Sequence, residues 1–105
     1  MEMKYNALKL NVNDNVAVAL TNIKAGELLS IQGVDEQLKV EDAIAYGHKV
    51  ATAYIGLEEK IIKYGECMGM STAEIHPGRH VHVFNVRGLN EEERLSSLKE
   101  HAVSI

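Results

Sequence analysis

The chain has 105 residues with one cysteine, one proline, one phenylalanine and no tryptophan. A single thiol excludes an internal disulfide, and with it the stapled design of small secreted domains. No apolar run approaches the roughly 18 to 20 residues that cross a bilayer as a helix. Met1-Glu2-Met3-Lys4-Tyr5-Asn6 lacks the apolar stretch of a signal peptide, so a cytoplasmic location is expected. Positive charge is not in excess: 11 Lys and Arg face 15 Asp and Glu, for a net charge of -4. That balance argues against a nucleic-acid or anionic-membrane surface, which needs a basic patch. There is no low-complexity stretch to suggest disorder. Cys-x-x-Cys, a phosphate-cradling glycine loop and a Gly-x-Ser-x-Gly elbow are all missing.

Short alternating segments are what the chain does have. Leu8, Leu10 and Val12 alternate with Lys9 and Asn11; Val16, Val18 and Leu20 alternate with alanines; Leu38 and Val40 follow the same rule. Further strand-like runs cover 28–31, 49–53, 60–64 and 80–86. Turn residues punctuate them at Asn13-Asp14-Asn15, Ala25-Gly26, Gly33, Gly65, Gly69 and Pro77-Gly78. Such spacing predicts a mainly β domain, with connections too short for parallel crossovers.

A corner motif recurs at Ala19–Leu29, Ala51–Ile61 and Ser71–Val81. Each copy has a small residue, an isoleucine four positions on (Ile23, Ile55, Ile75), and an apolar residue six beyond that. The eighth position holds Gly26, Glu58 or Gly78. The reading is a strand, an isoleucine plugging the core, a tight turn favouring positive φ, and a second strand. Unequal spacing excludes a solenoid. After residue 88 the character changes. Asn90 can cap a helix with Glu91-Glu92-Glu93 in its first turn, and Leu95, Leu98 and Ala102 form a narrow apolar stripe. Residues 1–88 are therefore expected to form the domain and 89–105 a helical extension, lying on the domain or on a partner.

Histidine carries the candidate chemistry. His80 and His82 flank Val81 in a strand-like run, so their side chains should stand on one face. Two imidazoles there can hold a metal or an anion, pass protons, or simply face water. A metal centre would need a further ligand from elsewhere. In Gly47-His48-Lys49, an imidazole and a fixed cation follow a flexible residue, which suits holding a carboxylate; an exposed turn is the plainer alternative. His76 and His101 read as surface residues. Arg79 adjoins the pair and can reach an anion from its turn. Cys67 has no cationic neighbour to make it a thiolate and reads as structural.

Taken in order, these segments resemble one known domain type. Asn15-Val16-Ala17, Ile23-Lys24-Ala25-Gly26-Glu27, Gly47-His48-Lys49-Val50-Ala51, Ile62-Lys63-Tyr64-Gly65-Glu66 and His80-Val81-His82-Val83 with Asn85 resemble the SAF domain of altronate and galactarate dehydratases. The pattern is similar also to the alpha subunit of sulfolactate sulfo-lyase. It covers about residues 5 to 86. The resemblance implies the β-clip fold, mainly β with long bent hairpins. It implies a small subunit working with a large catalytic subunit, which removes water, or sulfite in the sulfo-lyase branch, from a small hydroxylated or sulfonated acid. A divalent metal such as iron, held mainly by the partner, is implied for the dehydratases; His80 and His82 stay open as ligands. On this basis His48 and His82 are the expected catalytic residues, and Lys49, His80 and Arg79 the expected substrate-binding ones. A homo-oligomer and a non-catalytic binding module stay open as alternatives. The chain departs from the family at Phe84, where a further histidine is common, and at Cys67, where proline is usual. Asn22 and Tyr54 replace aspartates, and Glu58 replaces a glycine.

Overall fold

A computed structural model describes residues 5–34 and 37–102, with side chains of the terminal helix as far as Ser96. Nine short strands precede one helix among the described residues. Strands β1 (Ala7–Leu8), β2 (Val16–Ala19), β5 (Lys49–Ala51) and β8 (His80–Val81) form one sheet in that order. Strands β3 (Leu28–Leu29) and β4 (Leu38–Lys39) pair with each other. Strands β6 (Lys60–Lys63), β7 (Glu66–Ser71) and β9 (Val86–Arg87) form a third sheet. All these pairings are antiparallel, as the short connections predict. Among the described residues, no helix is long and apolar enough to cross a membrane.

The corner motif organises the molecule, and there are four copies. Ile23 bridges Ile44, and Ile55 bridges Ile75; all four isoleucines are buried. The fourth corner, Val40–Val50, escapes the sequence rule because it begins with valine instead of a small residue. Its turn glycine, Gly47, has positive φ like Gly26, Gly78 and the non-glycine Glu58. Two corners pair to make each half of the core. Ala17, Ile23, Leu29, Val40, Ile44 and Val50 fill one cluster; Val16, Ala51, Ile55, Ile61, Ile75 and Val81 fill the other.

Three expectations about strands need correction. The segment after Leu8 does not continue as a strand, because Asn11 closes a turn: its Oδ1 accepts the Asn13 N–H (2.9 Å) and its carbonyl accepts the Asp14 N–H (3.0 Å). The run 80–86 is broken at residues 82–85 by a turn, with the Asn85 N–H donating to the His82 carbonyl at 3.0 Å. Conversely, Glu66–Ser71 is a strand running through Gly69, read above as a turn marker. A Cβ on Gly69 would lie 2.6 Å from the Arg87 carbonyl oxygen, so this glycine permits close packing of β7 on β9. Gly65 is a true turn residue: Tyr64 and Gly65 both have positive φ in the two-residue β6–β7 hairpin.

Helix α1 (Glu91–Ala102) starts where expected. The Glu93 N–H donates to Asn90 Oδ1 (2.8 Å) and the Asn90 N–H to Glu93 Oε1 (3.0 Å), a reciprocal capping box. Leu95 is 53% exposed and so does not pack on the domain. The other stripe residues, Leu98 and Ala102, and the side chain of His101 lie outside the described side chains.

Candidate functional site

His48, His80 and His82 come together at the edge of the four-stranded sheet, each half-buried. Two corners deliver them. His48 leaves the turn at Gly47, its N–H bonded to the Ala45 carbonyl (2.9 Å). His80 begins β8, which pairs with β5, so Val50 lies opposite His80. Asp42 accepts the His80 N–H at 3.0 Å and fixes where that strand starts.

His80 and His82 stand side by side as expected, yet not because a strand carries both. The strand ends at Val81, and buried Asn85 replaces its next pairings. Asn85 Oδ1 accepts the His82 N–H (2.9 Å), and its Nδ2 donates to the His80 carbonyl (2.8 Å). The two ring centres are 5.3 Å apart with planes 10° from parallel. His48 Nδ1 and His80 Nε2 are 2.9 Å apart and share a hydrogen bond, with ring planes inclined by 17°. His82 stacks on His48 at 4.3 Å and 12°. The third imidazole thus comes from a distant corner and not from position 84. Phe84 sits in the turn, 65% exposed, with its ring 5.4 Å from that of His80.

Electrostatics disfavour extra positive charge here. Burial pulls the His80 pKa down, and His48, His82 and Lys49 add to that, against an opposing pull from Asp42. Lys49 is also pulled down, first by burial and then by Lys63. Among the described residues Lys49 has no hydrogen-bond or ion-pair partner, so an anion placed beside it would relieve a desolvated cation. Arg79, by contrast, already donates to Asp42 Oδ1 at 3.1 Å.

The cluster divides two hollows. His82 and Lys49 line one of about 340 Å³, with Met68, Val83 and Arg87. His80 and Arg79 line the other, of about 560 Å³, with Asp42, Glu74, His76 and Phe84. The sequence-predicted residues are therefore all local to the cluster, but Arg79 and Lys49 line different hollows. Sequence reasoning missed Asp42 and the clamping role of Asn85; the only signal was their polar type within otherwise strand-like segments. Cys67 lines a different hollow, with Lys60 and Met70, and its Sγ donates to the Gly69 carbonyl.

The donor set fits a divalent ion. Three imidazoles offer nitrogens within 4.8 Å of one another and could hold iron or zinc. An ion held through His48 Nδ1 and His80 Nε2 would take the place of the proton that these two atoms share.

A small antiparallel β domain with an imidazole cluster at one sheet edge defines the class. Residues 5–89 match the model of the altronate/galactarate dehydratase SAF domain, and the chain belongs to that family. It is 39% identical over 80 residues to altronate dehydratase of Bacillus subtilis and 36% identical over 80 residues to that of Escherichia coli. Each match covers 76% of this chain but only 16% of the dehydratase. It is also 36% identical over 74 residues to the alpha subunit of (2R)-sulfolactate sulfo-lyase from Chromohalobacter salexigens, covering 67% of this chain and 79% of that subunit.

Proposed function

We propose that the chain is the small subunit of a sugar-acid dehydratase of the altronate/galactarate type, completing an active site with a larger catalytic subunit. The observation that carries this reading is the hydrogen-bonded imidazole cluster, assembled from two corners beside Lys49, whose side chain has no partner among the described residues. Elimination of water removes a proton next to a carboxylate and protonates the departing hydroxide. Histidine exchanges protons near neutral pH and suits both tasks.

The shared proton between His48 Nδ1 and His80 Nε2 gives His48 two states. When Nδ1 donates to His80, Nε2 is left as a base that can take the substrate proton, and the resulting imidazolium can return it to the departing hydroxide; when Nδ1 accepts, Nε2 carries the proton and is a hydrogen-bond donor only. His82, stacked on His48, stands beside the hollow where Lys49 would hold the substrate carboxylate. His80 and Arg79 face the remainder of the substrate. A divalent ion such as iron, held chiefly by the larger subunit, would supply Lewis-acid stabilisation of the charge that develops on the carboxylate.

The test is reconstitution with the large subunit. His48→Ala and His82→Ala should each lower turnover by about 100-fold, the scale of losing a general acid or base. Undiminished turnover in both variants would sink the reading. The greater coverage of the sulfo-lyase alpha subunit, 79% against 16%, favours a second reading in which sulfite leaves instead of water. Sulfite release from sulfolactate by the reconstituted complex distinguishes it.

A further inference from the structure

The larger hollow, on the His80 side, is chemically unlike its neighbour. Asp42, Glu74, His76, Arg79 and His80 ring it with hydrogen-bonding groups, and Phe84 adds an aromatic wall. Asp42 accepts from Arg79 and from the His80 backbone, and Glu74 accepts from the Tyr54 hydroxyl. Each carboxylate retains lone pairs for further donors. A hydroxyl group both gives and takes a hydrogen bond, so a chain of hydroxyls suits alternating carboxylates, imidazoles and a guanidinium.

Phe84 has no packing role that explains it. It is 65% exposed at the tip of the 82–85 turn, touching His80 with its ring tilted by 55°. An aromatic face beside polar groups is suited to the C–H edge of a hydroxylated carbon chain, offering apolar contact without competing for its hydroxyls. The hollow also continues directly from His80, which is bonded to His48. A substrate with its carboxylate at Lys49 and its reacting carbons at the imidazoles extends its other end this way.

We propose that this hollow receives the hydroxylated tail of the substrate, and that Glu74 and Phe84 make the site prefer long polyhydroxy acids to three-carbon ones. The proposal rests on the lyase reading above and deepens it. A three-carbon acid anchored at Lys49 ends before the hollow and gains nothing from it.

The experiment uses the complex with the large subunit and two acids. One is altronate, as substrate; the other is glycerate, a three-carbon dihydroxy acid, as competitor. Glu74→Gln and Phe84→Ala alter exposed side chains and leave the core intact. Each should lower kcat/KM for altronate by about tenfold, the scale of one lost hydrogen bond to a charged group or one aromatic contact. The inhibition constant of glycerate should not change. Unaltered kcat/KM for altronate in both variants overturns the proposal. So does an equal weakening of altronate and glycerate, which would signal general damage. Either result leaves the lyase reading standing if His48→Ala and His82→Ala still lower turnover by about 100-fold, whereas full turnover in those two variants removes that reading itself.

Discussion

The two halves of the domain share a backbone and differ in chemistry. In the first, the Gly26 N–H donates to the Val40 carbonyl and the Gly47 N–H to the Ala19 carbonyl. In the second, the Glu58 N–H donates to the Ser71 carbonyl and the Gly78 N–H to the Ala51 carbonyl. The Ile23–Ile44 and Ile55–Ile75 bridges correspond in the same way. On this correspondence His48 of the first half matches Arg79 of the second, and Lys49 matches His80. A corner specifies where a side chain is offered, not what it does. The imidazole cluster arises because β5 and β8 lie side by side, which brings the exits of two corners to one sheet edge. Only the second half then adds the Asn85-clamped turn that supplies His82.

The sharpest way to break the correspondence is at the turn glycines. Gly47 and Gly78 both have positive φ, +81° and +91°. A Cβ on Gly47 would meet nothing within 4 Å, whereas one on Gly78 would lie 2.4 Å from the Lys39 carbonyl oxygen. Gly47→Ala should therefore cost only the left-handed backbone penalty, about 1 to 2 kcal/mol. Gly78→Ala adds a clash with backbone and should cost roughly 3 to 5 kcal/mol. Urea unfolding of the two variants measures the difference. Equal midpoints would mean that the two corners are equivalent after all.

A smaller effect separates Val40 from Ser71. Val40 is a buried apolar residue. Ser71, at the matching position, accepts the Glu59 N–H at 3.0 Å and donates to the Gly56 carbonyl. Ser71→Ala removes both bonds and leaves the Glu59 N–H and the Gly56 carbonyl only their own longer bond of 3.3 Å, so it should cost about 1 to 2 kcal/mol. If urea unfolding shows Ser71→Ala to be as stable as the parent, the second corner tolerates a dry interior like the first.

Much of this architecture was legible in the chain. Isoleucine and the turn residue at fixed offsets define three corners, because a core plug and a positive φ both restrict residue type. The fourth was hidden by Val40, which packs as well as alanine there but breaks the small-residue rule. The histidine cluster was half legible. Spacing alone placed His80 beside His82, and the ordered family motifs pointed to His48. That His48 bonds to His80 depends on β5–β8 pairing, a contact between residues 32 positions apart that no local pattern encodes. The run through Phe84 misled because valine and phenylalanine favour strands. Asn85 overrides that preference by bonding its side chain back to His80 and His82. Gly69 misled in the opposite direction, since a glycine required for close approach looks the same as one required for a turn.

The smallest expected effect lies where the second half meets the helix, a junction with no counterpart in the first. Arg87 donates to Glu93 through both Nη atoms at 2.8 Å, and also to Glu58 at the strained corner. The Arg87 guanidinium, and then the Asn90 N–H, hold the Glu93 carboxyl down at about 2, against an ordinary value of 4.5. A carboxylate with a lowered folded pKa contributes stability that is complete above the unfolded value and fades as pH falls through the folded one. Helix content should thus hold at neutral pH and decline between about pH 4.5 and 2, tracked by circular dichroism at low salt. Because the pair is still partly open to water, the loss should be confined to the helix start, with the β core unchanged. Glu93→Gln should flatten this acid-dependent step while retaining a capping side chain. A step that persists in Glu93→Gln would place its origin among the other acidic residues, leaving the Arg87 junction without a role in anchoring the helix.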